Sequence, residues 1–276
     1  WLTSTVEDEQ YDPSDISTPE NYCEYSNSAR PVLSMLKSVS GKGEKTKDFG
    51  ESEWRIYASN YYSAVSQVDK CVGSLFEVLE NRNLADNTIV VLTSDHGEQL
   101  GSYGFDQKET LYDASLKIPL IICGKGIPQG EIRDCLAEQV DILPTLLELA
   151  GITPPEGLEG VSQSRMITTG DDKPKDAVYA WFAFKNLIQA SVRTGEYKLY
   201  TCGRQSPEEA IELFDLINDP QEINNIWGSV EYEKIRGLVE KYKVFLEKHG
   251  GVIACPIKLC SSLNVQSGFD RSPLFS

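Results

Sequence analysis

The chain has 276 residues, 40% hydrophobic and 25% charged, a composition that excludes collagen-like, coiled-coil and wholly disordered classes and suffices for a buried core. Its 26 basic and 42 acidic residues leave a formal charge of −16, which argues against nucleic acid or an anionic membrane as partner; an anionic substrate must be met by local cations. The longest apolar runs, 88–93 and 118–123, fall far short of the roughly 18 residues of a membrane span.

The opening Trp1-Leu2-Thr3 carries neither an initiator Met nor the pattern of a signal peptide, so the chain is expected to have been cut. Residues 1–50 are rich in Ser, Pro, Glu and Lys and read as a long irregular surface excursion. From Tyr57 the spacing Tyr57, Tyr61, Val65, Val68, Val72, Leu75, Phe76, Leu79 predicts an amphipathic helix ending near Asn81. The β-branched run 88–93 predicts a central parallel strand covered on both faces, and 117–123 repeats the pattern with Pro119 at its start. Asp141 reads as the N-cap of a helix closed by Gly151.

Beyond the turn at 154–157, strands are predicted over 177–183, 187–193, 196–202 and 211–216, with Thr194-Gly195 as a tight hairpin. A last helix runs from Tyr232 to Gly250. The expected fold class is therefore α/β: part of a mixed, mainly parallel sheet flanked by helices, plus a small C-terminal antiparallel sheet with one packed helix. The expected division is an α/β part over 1–160 and a small α+β subdomain over 161–276. The seven cysteines form no CxxC pair, which argues for core roles over a zinc ribbon; Cys255 and Cys260 bracket a short segment and could bridge.

The run Thr93-Ser94-Asp95-His96-Gly97-Glu98 sits where a buried strand ends, the place at which open α/β sheets bind ligands. Asp95 offers a hard oxygen and His96 a nitrogen, both suited to a divalent cation; the bland alternative is a cap and a core histidine. Gly97 is read as permitting a sharp turn. Lys108 falls on a loop returning toward the same edge, where it could neutralise an anion or simply be solvated. Glu98 and Glu109 read equally well as surface charges, Tyr103, Phe105 and Tyr112 as packing residues, and His249 as a partner of a helix C-terminus.

The segments 61–69, 84–98, Lys108, 118–122, 140–146, 193–199 and 213–220 together resemble, in order, the latter half of a sulfatase of the alkaline phosphatase superfamily. The resemblance implies sulfate monoester hydrolysis through a formylglycine nucleophile and a divalent cation, Ca2+ with Mn2+ or Mg2+ as alternatives. It makes Asp95 and His96 metal ligands, with His96 also facing substrate, and gives Lys108 a sulfate oxygen. A Cys or Ser followed by x-Pro-x-Arg is absent; Ser28-Ala29-Arg30-Pro31 has the wrong order. The nucleophile is thus expected upstream, and this chain alone is expected to be incomplete and inactive. Expected partners are a sulfated small molecule or glycan and the N-terminal half of the same enzyme, in a secreted, periplasmic or lysosome-like compartment. A phosphonate monoester or phosphodiester hydrolase of the same superfamily, and a non-catalytic sulfatase-like binding protein, are the rival expectations.

Overall fold

A computed structural model describes residues 11–22, 29–39, 46, 48–171, 175–184 and 186–249. In chain order its elements are α1 (Pro31–Val39), α2 (Glu51–Asn81), β1 (Val90–Thr93), α3 (Asp113–Leu116), β2 (Leu120–Cys123), α4 (Ile142–Leu149) and α5 (Ser164–Thr169). They are followed by β3 (Val178–Phe184), β4 (Leu187–Arg193), β5 (Tyr197–Gly203), β6 (Ala210–Asp215) and α6 (Tyr232–His249). Two compact units draw their described residues from Trp1–Tyr25, Gly41–Lys108 and Ala114–Gln129, and from Ser26–Ser40, Glu109–Asp113 and Gly130–Ser276. The possible Cys255–Cys260 bridge lies outside the described residues.

In the first unit, α2 begins six residues before the predicted start because Glu53 reaches back to accept the N–H of Gly50 at 3.0 Å. Its buried residues, Trp54, Ala58, Ser59 and Ser63, all lie in its first half. Trp54 packs edge-on against Phe49 and Tyr57, with ring centroids 5.4 and 5.5 Å away. The two predicted strands are present, but β1 and β2 pair antiparallel, with Val90 opposite Cys123 and Thr93 opposite Leu120. This corrects the parallel reading: a β-branched run reports a strand, whereas direction depends on the path of the connection. Neither strand is buried on both faces; Leu120 and Ile121 are exposed.

The second unit is built on a four-stranded antiparallel sheet in the order β3-β4-β5-β6. Strand alternation gives it two different faces. Ala190, Val192, Leu199, Ile211 and Leu213 point to α6 and meet Ile235, Leu238, Val239, Tyr242 and Leu246. Burying each Val, Leu or Ile side chain there contributes about 1.5–3 kcal/mol. The opposite face carries Gln189, Lys198, Tyr200 and Glu212, all buried. Helix α1 packs against β5 and β6, so part of the segment read as irregular is a buried helix. Its apolar Val32, Leu33 and Leu36 are too few to establish a period, although Pro31 suits a helix start.

Charges on the polar face are matched in place. Arg30 Nη2 lies 3.2 Å from Glu212 Oε2, which also accepts the Tyr112 hydroxyl at 2.8 Å. Glu212 Oε1 accepts the Leu33 N–H at 3.2 Å, tying α1 to the sheet. Lys198 reaches Asp113 at 2.9 Å and Glu222 at 2.6 Å. Burial alone would lower the Lys198 amine; the carboxylates of Glu222 and Asp113 outweigh it and raise it. Asp141 precedes α4 as predicted but makes no side-chain cap bond. Its carboxylate accepts from the N–H groups of Glu138 and Val161 and from Lys175 at 2.8 Å. Gly151, at φ +76°, closes α4 as expected. The α/β class and the antiparallel C-terminal sheet with its packed helix stand.

Candidate functional site

The chain leaves β1 at Thr93 through Ser94, Asp95, His96 and Gly97. The Ser94 hydroxyl donates to the His96 carbonyl at 2.5 Å, and the His96 N–H donates to Asp95 Oδ1 at 3.1 Å. His96 Nδ1 lies 2.8 Å from the Gly97 carbonyl oxygen. A carbonyl only accepts, so in the neutral ring Nδ1 carries the proton and Nε2 keeps its lone pair. Nε2 sits 3.4 Å from Asp95 Oδ2; the Asp95 side chain is 85% exposed and that of His96 34%, which leaves both accessible to a ligand.

This donor pair fits a divalent cation. A backbone carbonyl holding one ring nitrogen and presenting the other is the usual support of a metal-bound histidine. Two donors are fewer than a site needs, and no group of three or more His, Cys, Asp or Glu able to hold a metal occurs among the described residues.

Gly97 is required for a different reason than predicted. Its backbone is not among the left-handed positions; a Cβ there would stand 2.1 Å from the Ala114 carbonyl oxygen. Its N–H donates to Ser115 O at 2.7 Å, and the Gln99 side chain donates to the Ser115 hydroxyl at 2.7 Å. The motif is thus bonded to the segment that precedes β2.

Between the motif and Lys108 runs a tightly folded loop. Leu100, Gly101, Tyr103, Gly104 and Gln107 all have positive φ, and a Cβ on Gly101 would meet the Trp54 ring at 3.2 Å. Such backbone persists only where surrounding contacts fix it. Gly101 N–H donates to Phe105 O at 3.0 Å and Gln99 N–H to Gln107 O at 2.9 Å, while Tyr103 and Phe105 are buried as expected. Lys108 follows at the end of this closed loop and is exposed. The structure therefore brings Asp95 and His96 into contact and sets Lys108 just beyond the far end of a loop whose two ends are hydrogen-bonded.

Reading Glu98 as a surface charge missed its place. It is half-buried, and its Oε1 accepts the Gln107 N–H at 2.5 Å. Burial raises the Glu98 carboxyl, opposed by the N–H groups of Gln107 and Leu100. Burial and the charge of Glu98 raise the Tyr57 and Tyr61 phenols. The usable signal was Tyr57 itself, a polar-tipped residue on the helix stripe. His249 lies in the last turn of α6, its ring 4.9 Å from that of Phe245.

Comparison with known proteins places these features in a family. The profile described as Sulfatase matches residues 17–152, and that of N-sulphoglucosamine sulphohydrolase, C-terminal, matches residues 101–248. The Xenopus laevis protein named Arylsulfatase K is 30% identical over 219 residues, 74% of this chain and 41% of that one. The N-acetylglucosamine-6-O-sulfatase of Bacteroides thetaiotaomicron is 32% identical over 191 residues, 66% of this chain and 34% of that one. The solved phosphonate monoester hydrolase of Agrobacterium radiobacter superposes with a TM-score of 0.73 at 22% identity, covering 87% of this chain and 52% of that one, a likeness of fold alone. The chain thus spans well under half the length of these two curated relatives. One family profile covers the whole Asp95-to-Lys108 loop and the second, from residue 101, continues through the β3–β6 sheet, and on that ground the chain belongs to the sulfatase family.

Proposed function

We propose that this chain supplies the cation- and sulfate-binding C-terminal portion of a sulfatase that hydrolyses sulfate monoesters. The observation that carries the reading is the pairing at the end of β1: an accessible Asp95 carboxylate beside a His96 whose Nδ1 is committed to Gly97 O, leaving Nε2 as a donor. Asp95 and His96 would hold a divalent cation, Ca2+ or alternatively Mn2+ or Mg2+, together with ligands from outside the described residues. Such a cation supplies charge that stabilises the sulfate oxygens as the ester bond breaks. Lys108 binds one of those oxygens as a point charge, and His96 lines the same position. The nucleophile, a formylglycine, would come from upstream of this chain. The remaining sulfatase portion is thereby its first partner, and the chain alone is expected to be inactive.

A sulfated glycan is the substrate class we favour, supported by the curated relative named for N-acetylglucosamine 6-O-sulfate. A secreted, periplasmic or lysosome-like location goes with that substrate. The rival phosphonate or phosphodiester reading draws on a fold likeness only, whereas relatives at 30% identity or more are named as sulfatases.

The test is made on the complete protein, with aryl sulfate and aryl phosphonate esters compared. Sulfate should be preferred. Lys108→Ala should lower kcat by about 10²–10³-fold, the usual effect of losing one preorganised donor to developing charge. Asp95→Asn should weaken calorimetric Ca2+ binding by at least tenfold. Faster turnover of the phosphonate would favour the rival; no turnover of either, with no formylglycine mass change, would leave a binding protein.

A further inference from the structure

We propose that Glu98 is a positioning residue which sets where Lys108 stands relative to Asp95 and His96, by clamping the backbone of Gln107. The proposal rests on the reading of Lys108 as the sulfate-binding cation. Lys108 is exposed and has a long flexible stem, so its location is fixed by the peptide that bears it. Gln107, which precedes it, is held on both of its peptide units: its N–H donates to Glu98 Oε1 at 2.5 Å, and its carbonyl accepts from Gln99 N–H at 2.9 Å. Gln107 sits at φ +63°, a backbone state unfavourable for a side-chain-bearing residue and maintained by such flanking bonds.

Glu98 is half-buried, and its carboxylate lies near enough to Tyr57 of α2 for its charge to help raise that phenol, so the clamp stands beside a helix and not only within the loop it closes. A bond from a backbone N–H to a carboxylate is charge-assisted, roughly twice as strong as a neutral one. A residue two positions beyond His96 therefore determines the start of the segment bearing the next cation. Aspartate, one methylene shorter, would keep the charge and withdraw the acceptor. Glutamine would lose the charge and keep an acceptor oxygen.

The experiment uses the complete protein, this chain joined to the remaining sulfatase portion, and three variants, Glu98→Asp, Glu98→Ala and Glu98→Gln, with two readouts. Hydrogen exchange reports the Gln107 amide; acylation of Lys108, followed by peptide mass spectrometry against increasing inorganic sulfate, reports the anion site. Glu98→Asp and Glu98→Ala should expose the Gln107 amide and raise the sulfate needed for half-protection about tenfold, the effect of losing about 1.4 kcal/mol. Glu98→Gln should return half-protection to within about threefold of the parent. A Glu98→Asp chain that protects Lys108 as well as the parent overturns the proposal, as does unchanged exchange at Gln107. If sulfate fails to protect Lys108 in the parent itself, the sulfate reading of Lys108 falls, and exchange at Gln107 still decides whether the clamp exists.

Discussion

At Gly97 the decisive quantity is the 2.1 Å that a Cβ would have to the Ala114 carbonyl oxygen. A backbone atom cannot rotate away as a side chain could, so Gly97→Ala should displace the motif from the segment before β2 and break the Gly97–Ser115 hydrogen bond. The expected loss is about 1–3 kcal/mol or more, read as a fall in the urea midpoint. A midpoint unchanged from the parent would show that the two backbones part at no cost. Residue by residue, the site was partly legible in the sequence. Asp95 and His96 stand out because an acidic residue and an imidazole follow a β-branched run. The reason for Gly97 was not legible, since the partner it must clear lies seventeen residues away. Glu98 was not legible either, because a single glutamate has the same letter whether solvated or clamping a loop.

At the scale of elements, β5 joins two environments, and the ion network on its polar side makes the sharper prediction. Lys198 lies fully buried between Asp113 and Glu222, so Lys198→Met takes the ammonium from both carboxylates, although Asp113 keeps Arg193 at 3.5 Å. Stability should fall by about 3–5 kcal/mol, and Glu222→Gln added to it should recover part of the loss. Burial first, then Asp113, raises the Glu222 carboxyl to about 7, with Lys198 opposing. The native state thus holds this proton more tightly than the unfolded chain. Its stabilising share is complete below the ordinary glutamate value and is lost as pH rises through about 7. Glu222→Gln should flatten the fall of thermal midpoint across that window; an equally steep fall would place the titration elsewhere. Long elements such as α2, α6 and the β4–β5 hairpin were legible from their periods and turn residues. The nine residues of α1 were not, nor was the direction of β1 relative to β2, which is decided by pairing and not by either strand's composition.

At the scale of the whole molecule, α2 is the element least satisfied by the chain around it. Its 31 residues extend about 46 Å. Beyond Ser63 none is buried, although Val65, Val68, Leu75, Phe76 and Val78 remain exposed on it. The two-stranded β1–β2 sheet is likewise too small to stand alone. Exposed apolar surface of this extent marks an interface or an aggregation liability. The chain by itself should therefore self-associate, with light scattering rising steeply with concentration. Val65→Lys combined with Val68→Lys should suppress that association while changing the unfolding free energy by only about 0.5 kcal/mol, whereas Trp54→Ala should cost about 3–5 kcal/mol. Equal destabilisation by both changes would mean that the second half of α2 is already covered.

The two-faced character of β5 also bears on how the chain reaches its fold. Because side chains alternate, slipping β5 by one residue would thrust Lys198 and Tyr200 among Ile235, Leu238 and Leu246 and turn Leu199 toward Glu212. No intermediate shift is available, and an uncompensated ammonium in that apolar layer is costly enough to dissolve the pairing. The buried ions thus make the alignment of β5 all-or-none: one residue of slip exchanges its two faces entirely.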